Sequence, residues 1–218
     1  MAGRLPSGDN ARMEDATRRV RRIYDQEAAH YDRYIRIFER LLFGGGREWV
    51  CSRTRGDVLE MALGTGRNLP FYPEGVRLTG IELSPEMLGV ARDRAGRLGI
   101  EADLRPGDAQ RLDFPDASFD SVVFTLALCT IPDAARAVAE ARRVLRPGGR
   151  LLLLEHVRSP LLPVRALQRA LEPLSIRFQA DHLLREPLRY LRGHGFEVET
   201  LECSKLGIVE RVAARKPG

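Results

Sequence analysis

The chain has 218 residues, a net charge of +5 and 44% hydrophobic residues. That suits one α/β domain with a sizeable core and excludes wholesale disorder. Nearly all the basic residues are Arg, only Lys205 and Lys216 being lysines, and they interleave with acids along the predicted helices. The excess therefore reads first as a compositional bias and only second as the footprint of an anionic partner.

Cys51, Cys129 and Cys203 are odd in number and widely spaced. They argue against a disulfide framework or a zinc site, and no metal is expected. The longest apolar runs, Val122–Ile131 and Leu151–Leu154, are too short to span a bilayer. No apolar signal region stands near the N-terminus, so a cytosolic protein is the simplest expectation.

Residues 1–12 carry Gly, Pro and Ser without period and are expected to be disordered. From Met13 to Phe43, Val20, Ile23, Tyr24, Tyr31, Ile35, Phe38 and Leu42 recur at helical spacing, predicting one or two amphipathic helices. Gly44-Gly45-Gly46 breaks the pattern, and a short helix follows near Trp49.

Strands and helices then alternate. Strands are predicted at Asp57–Met61, Arg77–Glu82, Ile100–Pro106, Phe119–Leu126 and Arg150–His156. A helix opens at Asn68–Phe71. Another starts at Ser84-Pro85-Glu86, with Ser as N-cap and Pro in the first turn, and ends at Gly99. A third spans Asp133–Leu145. This alternation predicts a parallel sheet covered on both faces, and apolar runs such as Val122–Phe124 suit strands buried on both sides.

The last third differs. Leu161, Val164, Leu167, Leu171, Leu174 and Phe178 form a helical stripe with Arg165, Arg169 and Arg177 off it, and Pro163 and Pro173 are expected to limit the helix. Leu183–Leu191 suggests another helix, and two closing strands, a hairpin, follow at Phe196–Cys203 and Ile208–Ala214.

The chemistry concentrates after the first strand. Glu60 ends that strand, and Gly64 and Gly66 occupy the turn before a helix. Glycines there let a ligand approach the backbone closely, and a helix N-terminus offers free N–H groups. Glu82, 22 residues after Glu60 at the next strand end, is placed to accept from ribose hydroxyls. A dinucleotide fingerprint fails, since its third glycine position is Leu69, and no P-loop Gly-Lys-Ser/Thr is present.

The run VLEMALGTGRN resembles motif I of class I S-adenosylmethionine (SAM)-dependent methyltransferases, with Ala62 where glycine is usual. LTGIELSPEML resembles motif II and GDAQRLDFPDASFD motif III. FDSVVFTLALCTIPD and LRPGGRLLLLEHV resemble strands four and five of the same family.

The resemblance implies a Rossmann-like, seven-stranded, mostly parallel sheet with helices on both faces and an antiparallel last strand. It implies a single domain over residues 13–218: an N-terminal helical cap (13–54), a SAM-binding core (55–157), a helical insertion or lid (158–195) and a closing hairpin (196–215). SAM is the implied co-substrate.

Carried over residue by residue, Ala62, Gly64 and Gly66 would lie along the methionine moiety and Glu60 would help hold its ammonium. Glu82 would bind the ribose hydroxyls and Leu83 would pack on adenine. Asp108 and Ala109 would read the ring, and Thr125 and Leu126 would lie below the sulfonium. Arg67 either reaches the SAM carboxylate or is an ordinary solvated arginine.

Tyr24-Asp25-x-x-Ala28-x-x-Tyr31-Asp32 is similar to helices that cover the SAM site in bacterial phospholipid N-methyltransferases and quinone C-methyltransferases. Tyr24 or Tyr31 would contact SAM there, or the two are tyrosines at a helix–core boundary. TLALC, LRPGG, LEHV and HLLRE, in that order, resemble methyltransferase-like thiol methyltransferases and bacterial phosphatidylethanolamine N-methyltransferases.

The implied acceptor is small or lipid-like and partly apolar, methylated at N, S or O, with a quinone-ring carbon or non-catalytic SAM binding as alternatives. No nucleic-acid partner is implied, because Thr125-Leu126-Ala127-Leu128 stands where an Asn/Asp-Pro-Pro-aromatic sequence would often be. Catalytic candidates are His156, as a base, and Glu155, both at the end of strand five. The Leu161–Phe178 stripe reads as a lid, as a peripheral contact with an anionic membrane, or as an ordinary packed helix.

Overall fold

A computed structural model describes residues 7–218. Three helices come first: α1 (Ser7–Glu27), α2 (Tyr31–Leu42) and α3 (Gly46–Cys51). Then follow β1 (Asp57–Met61), β2 (Arg77–Glu82), α4 (Pro85–Leu98), β3 (Asp103–Pro106), β4 (Phe119–Thr125), α5 (Ala134–Val144) and β5 (Leu145–His156). The chain closes with α6 (Leu162–Gln179), α7 (Pro187–Gly193), β6 (Glu197–Ser204) and β7 (Val209–Arg215).

The seven strands form one sheet in the order β3-β2-β1-β4-β5-β7-β6. β1 to β5 run parallel, and β7 is antiparallel to both β5 and β6. This is the expected Rossmann-like architecture. Strand order reverses between β1 and β4, so a crevice opens beyond their carboxyl ends.

The period of two along each strand divides the core. Leu59, Met61, Val122, Phe124, Leu151 and Leu153 point to the face covered by α5 and α7. Val58, Val123, Leu152 and Leu154 point to the face covered by α3 and α4. Both faces exclude water, which explains why these strands are apolar runs rather than alternating ones.

Several boundaries differ from the sequence expectation. α1 begins at Ser7, inside the stretch expected to be disordered; residues 1–6 lie outside the described residues. Leu69–Phe71 makes only a single 3-10 turn, with Pro70 inside it. α7 starts at Pro187 rather than Leu183, because proline fits the first turn of a helix and not its interior. Pro173 does not end α6. It sits inside the helix on an exposed side, where water can serve the carbonyl it leaves without a partner.

Candidate functional site

The carboxyl ends of β1, β2 and β4 surround a cavity of about 780 Å³. At the end of β1, Ala62 turns the chain with φ of 56°. A side chain rarely adopts that left-handed conformation, at a cost of roughly 1–2 kcal/mol. Gly64 follows at φ 59°, and a Cβ built there meets nothing within 4 Å, so its face is open to the cavity. Gly66 has another task. A Cβ on it would lie 2.8 Å from Leu69 Cδ1 and 3.2 Å from Ala91 Cβ, so it lets the turn pack against α4 rather than lining the cavity.

Glu82 lines the cavity from the end of β2. Its carboxylate accepts from Gly64 N–H at 2.8 Å and Ser84 N–H at 2.9 Å. Burial pushes its pKa up while these backbone donors work against the rise. Asp108 lines the cavity after β3, its Oδ1 accepting from the backbone and side-chain amides of Gln110 at 2.8 and 2.9 Å.

The cap helices are fastened to this loop by acids. Asp25 Oδ1 accepts from Ser84 Oγ at 2.5 Å. Asp32 Oδ1 accepts from Thr65 Oγ1 at 2.7 Å, and Asp32 also pairs with Arg94 of α4 and lies 3.4 Å from Arg67. Glu39 pairs with both Arg47 and Arg67. Arg67 is therefore not an ordinary solvated arginine: it lines the cavity while paired with two acids of the cap.

A second cavity of about 1060 Å³ adjoins the first. Tyr24, Tyr31, Leu126 and Thr130 line both. The second is mostly apolar, with Ile35, Phe38 and Leu42 of α2 on one side and Gln168, Ser175 and Gln179 of α6 on another. Leu126, between the two, is held at φ 52° with its N–H donating to Leu154 O at 2.8 Å. Left-handed non-glycine residues of this kind concentrate at ligand sites.

His156 lines this second cavity. Its Nε2 lies 2.9 Å from Asp181 Oδ1. Burial alone lowers a histidine pKa, but the Asp181 carboxylate outweighs it and holds His156 above the ordinary value. Cys129 Sγ, His156 and Asp181 present atoms within 4.8 Å of one another, and burial pushes the Cys129 thiol far above its usual range, so it stays protonated.

Most residues expected at the donor site line the first cavity together: Tyr24, Tyr31, Ala62, Gly64, Arg67, Glu82, Leu83, Asp108, Ala109, Thr125 and Leu126. Gly66 and Glu60 do not. Glu60 is turned into the protein, where its carboxylate accepts from Asn68 Nδ2 at 2.8 Å and the Tyr72 hydroxyl at 2.9 Å. Burial lifts its pKa to about 7.

Glu155 also departs from expectation. It is fully buried, and one oxygen accepts from Ala127 and Leu128 N–H at 2.7 and 2.8 Å, bracing the turn after β4 instead of facing either cavity. The other oxygen has no hydrogen-bond partner among the described residues, and burial raises the pKa to about 6. Sequence reasoning missed Arg47, Thr65, Met87 and Gln110, which line the first cavity. It also missed Asp181 as the partner of His156, because the two are 25 positions apart with no spacing signal.

Residues 59–153 match a methyltransferase domain family model. The chain is 42% identical over 118 residues to a phosphatidylethanolamine N-methyltransferase of Cereibacter sphaeroides, covering 53% of the chain and 58% of that protein. It is 35% identical over 162 residues to a demethylmenaquinone methyltransferase of Deinococcus radiodurans, covering 70% of the chain and 65% of that protein. The chain thus spans about three-fifths of the length of these relatives. A crystal structure from Thermotoga maritima, described as a SAM-dependent methyltransferase and possible histamine N-methyltransferase, shares the fold. Its TM-score is 0.69 at 24% identity, over 89% of this chain and 99% of that one.

Proposed function

We propose that the protein transfers a methyl group from SAM to N, S or O of a small or lipid-like, partly apolar acceptor. The observation that carries this reading is the pair of adjoining cavities, one of mixed polar and apolar lining and one mainly apolar, with Tyr24, Tyr31, Leu126 and Thr130 in the wall common to both.

The first cavity fits SAM by its donor set. Glu82 offers carboxylate oxygens for ribose hydroxyls, Asp108 and Ala109 stand where an amine-bearing ring would be read, and the open face of Gly64 admits a close backbone approach. Bound there, SAM supplies a methyl group on a positively charged sulfur. The protein's main task is then to hold donor and acceptor in line, which is worth up to about 7–11 kcal/mol. The carbon–sulfur bond breaks as the bond to the acceptor forms, and the sulfur keeps the electron pair.

An acceptor that arrives as a thiol, phenol or ammonium must also lose a proton. His156 is the group that takes it. Asp181 engages Nε2 and steadies the imidazole, leaving Nδ1 for the proton. Quinone-ring carbon methylation is the second reading, favoured by the tyrosines and Phe38 of the acceptor chamber and by the demethylmenaquinone methyltransferase relative.

The test is a panel of thiols, phenols, amines, phosphatidylethanolamine and demethylquinones incubated with the protein and SAM, read by a gain of one methyl mass. Product from a partly apolar member supports the reading, product only from the demethylquinone selects the second, and no product alongside measurable SAM binding contradicts catalysis.

A further inference from the structure

α6 is built inside out. The side it turns toward the protein is polar. Gln168 accepts from Ser159 N–H and donates to Val157 O, Glu172 accepts from Leu184 N–H, and Ser175 donates to Asp181. The side it turns to solvent is apolar: Leu167, Leu171, Leu174 and Phe178 recur at spacings of four, three and four and are 46–65% exposed. A helix that packs on a core does the reverse.

α2 also exposes apolar residues. Ile37 and Leu41, four residues apart, are each 61% exposed, and neither α2 nor α6 contains a buried residue. Both helices line the second cavity with their other sides, Ile35, Phe38 and Leu42 on α2 and Gln168, Ser175 and Gln179 on α6, so these exposed apolar residues stand on the far side of the chamber's walls.

The charge around these faces is basic. Arg33, Arg36 and Arg40 on α2 and Arg169 and Arg177 on α6 are exposed. Among the described residues none of the five has a carboxylate within ion-pair distance. Elsewhere in the chain some exposed arginines are matched, as Arg18 is by Asp15 and Arg215 by Glu197, and others, such as Arg97 and Arg111, have no ion pair among the described residues. An apolar stripe flanked by unmatched arginines, as Arg177 flanks Phe178 on α6 and Arg33, Arg36 and Arg40 flank Ile37 and Leu41 on α2, is the pattern of a helix lying in a lipid headgroup layer.

We infer that the exposed faces of α2 and α6 dock on an anionic phospholipid bilayer. No helix of the described residues is long and apolar enough to cross a membrane, so the contact is peripheral. Leucines and the phenylalanine enter the acyl boundary, and arginines meet lipid phosphates. The inference goes beyond the proposed reaction and is tested without using it.

The experiment is co-sedimentation of the full chain with two sets of vesicles, pure phosphatidylcholine and phosphatidylcholine with 30 mol% phosphatidylglycerol (roughly the anionic fraction needed for a marked surface potential). Each is run at low and high salt, beside light scattering of the protein alone. Docking predicts binding to the anionic vesicles at least tenfold stronger than to the neutral ones and weakened by salt. Leu171→Glu with Leu174→Glu, or Arg177→Glu with Arg36→Glu, is expected to reduce it at least tenfold with an unchanged melting temperature. Leu98→Glu, an exposed leucine on α4, is expected to leave it unchanged. Equal binding of parent and both double variants overturns the inference. So does a concentration-dependent dimer that those variants abolish, because the face then belongs to a second copy of the chain.

Discussion

Asp32 of α2 accepts a hydrogen bond from the Thr65 hydroxyl at 2.7 Å, joining the cap to the glycine turn 33 residues later. Asp25, one helix earlier, does the same for Ser84. The two aspartates of the Tyr-Asp repeats thus carry the cap onto the loops after β1 and β2, while the neighbouring tyrosines form the wall between the cavities.

Removing that fastening is expected to loosen the cap without unfolding the core. Thr65→Val deletes only the hydroxyl and should cost about 1 kcal/mol. Asp32→Ala should cost somewhat more, because Arg94 and Arg67 lose a partner, but partial exposure of Asp32 screens the loss. Hydrogen exchange should quicken across residues 31–42 and stay unchanged in β4 and β5. Unchanged exchange in α2 would show that the contact does not hold the cap.

Glu60 predicts a pH dependence of stability. Its folded pKa of about 7 exceeds that of an unfolded glutamate, so folding favours the protonated form. That contribution is complete below the unfolded value of about 4.3. It is lost as pH rises from there to about 7. Glu60→Gln cannot titrate. Its denaturant stability relative to the parent should therefore improve by roughly 3 kcal/mol between pH 4.5 and 8. A constant difference across that range would mean Glu60 is ionised throughout.

Ala62 stands at a left-handed position that glycine occupies freely. Ala62→Gly relieves roughly 1–2 kcal/mol of strain. It also adds chain entropy to the unfolded state worth about 0.4–1 kcal/mol, so a net gain of up to about 1.5 kcal/mol is expected. Ala62→Val, branched at the same φ, should lower the melting temperature clearly. Equal stability of all three proteins would contradict the turn as described.

His156 and Asp181 predict a pH profile. The imidazole must be neutral to accept a proton, and Asp181 keeps its pKa above the ordinary value. Methyl transfer to a proton-bearing acceptor should therefore rise with pH through a midpoint above the ordinary histidine value of about 6.5. Asp181→Asn removes the raising influence and leaves burial, which lowers the pKa, so the midpoint should move to lower pH while the rate falls. A profile that stays in place in Asp181→Asn would remove His156 from proton transfer.

The fold was legible because its signals are local. Apolar runs marked β4 and β5, Ser84-Pro85 marked the start of α4, and the glycine turn with Glu82 and Asp108 marked one crevice. Glu60 and Glu155 misled for a common reason. Each ends a strand at the crevice, but alternation along the strand turned both carboxylates into the protein, onto Tyr72 and Asn68 or onto the turn after β4. The acceptor side was least legible because it is assembled from α2, β5 and the stretch after α6. Pairs such as His156–Asp181 obey no spacing.

Titration calorimetry of the full chain with SAM, for the parent and Glu82→Ala, tests the central claim that the cavity beyond β1, β2 and β4 is the donor site. The parent should bind one SAM per chain. Glu82→Ala, which removes charge-assisted hydrogen bonds worth about 1.5–3 kcal/mol, should bind at least tenfold more weakly. No binding by the folded parent, or equal affinity in the two proteins, would contradict it.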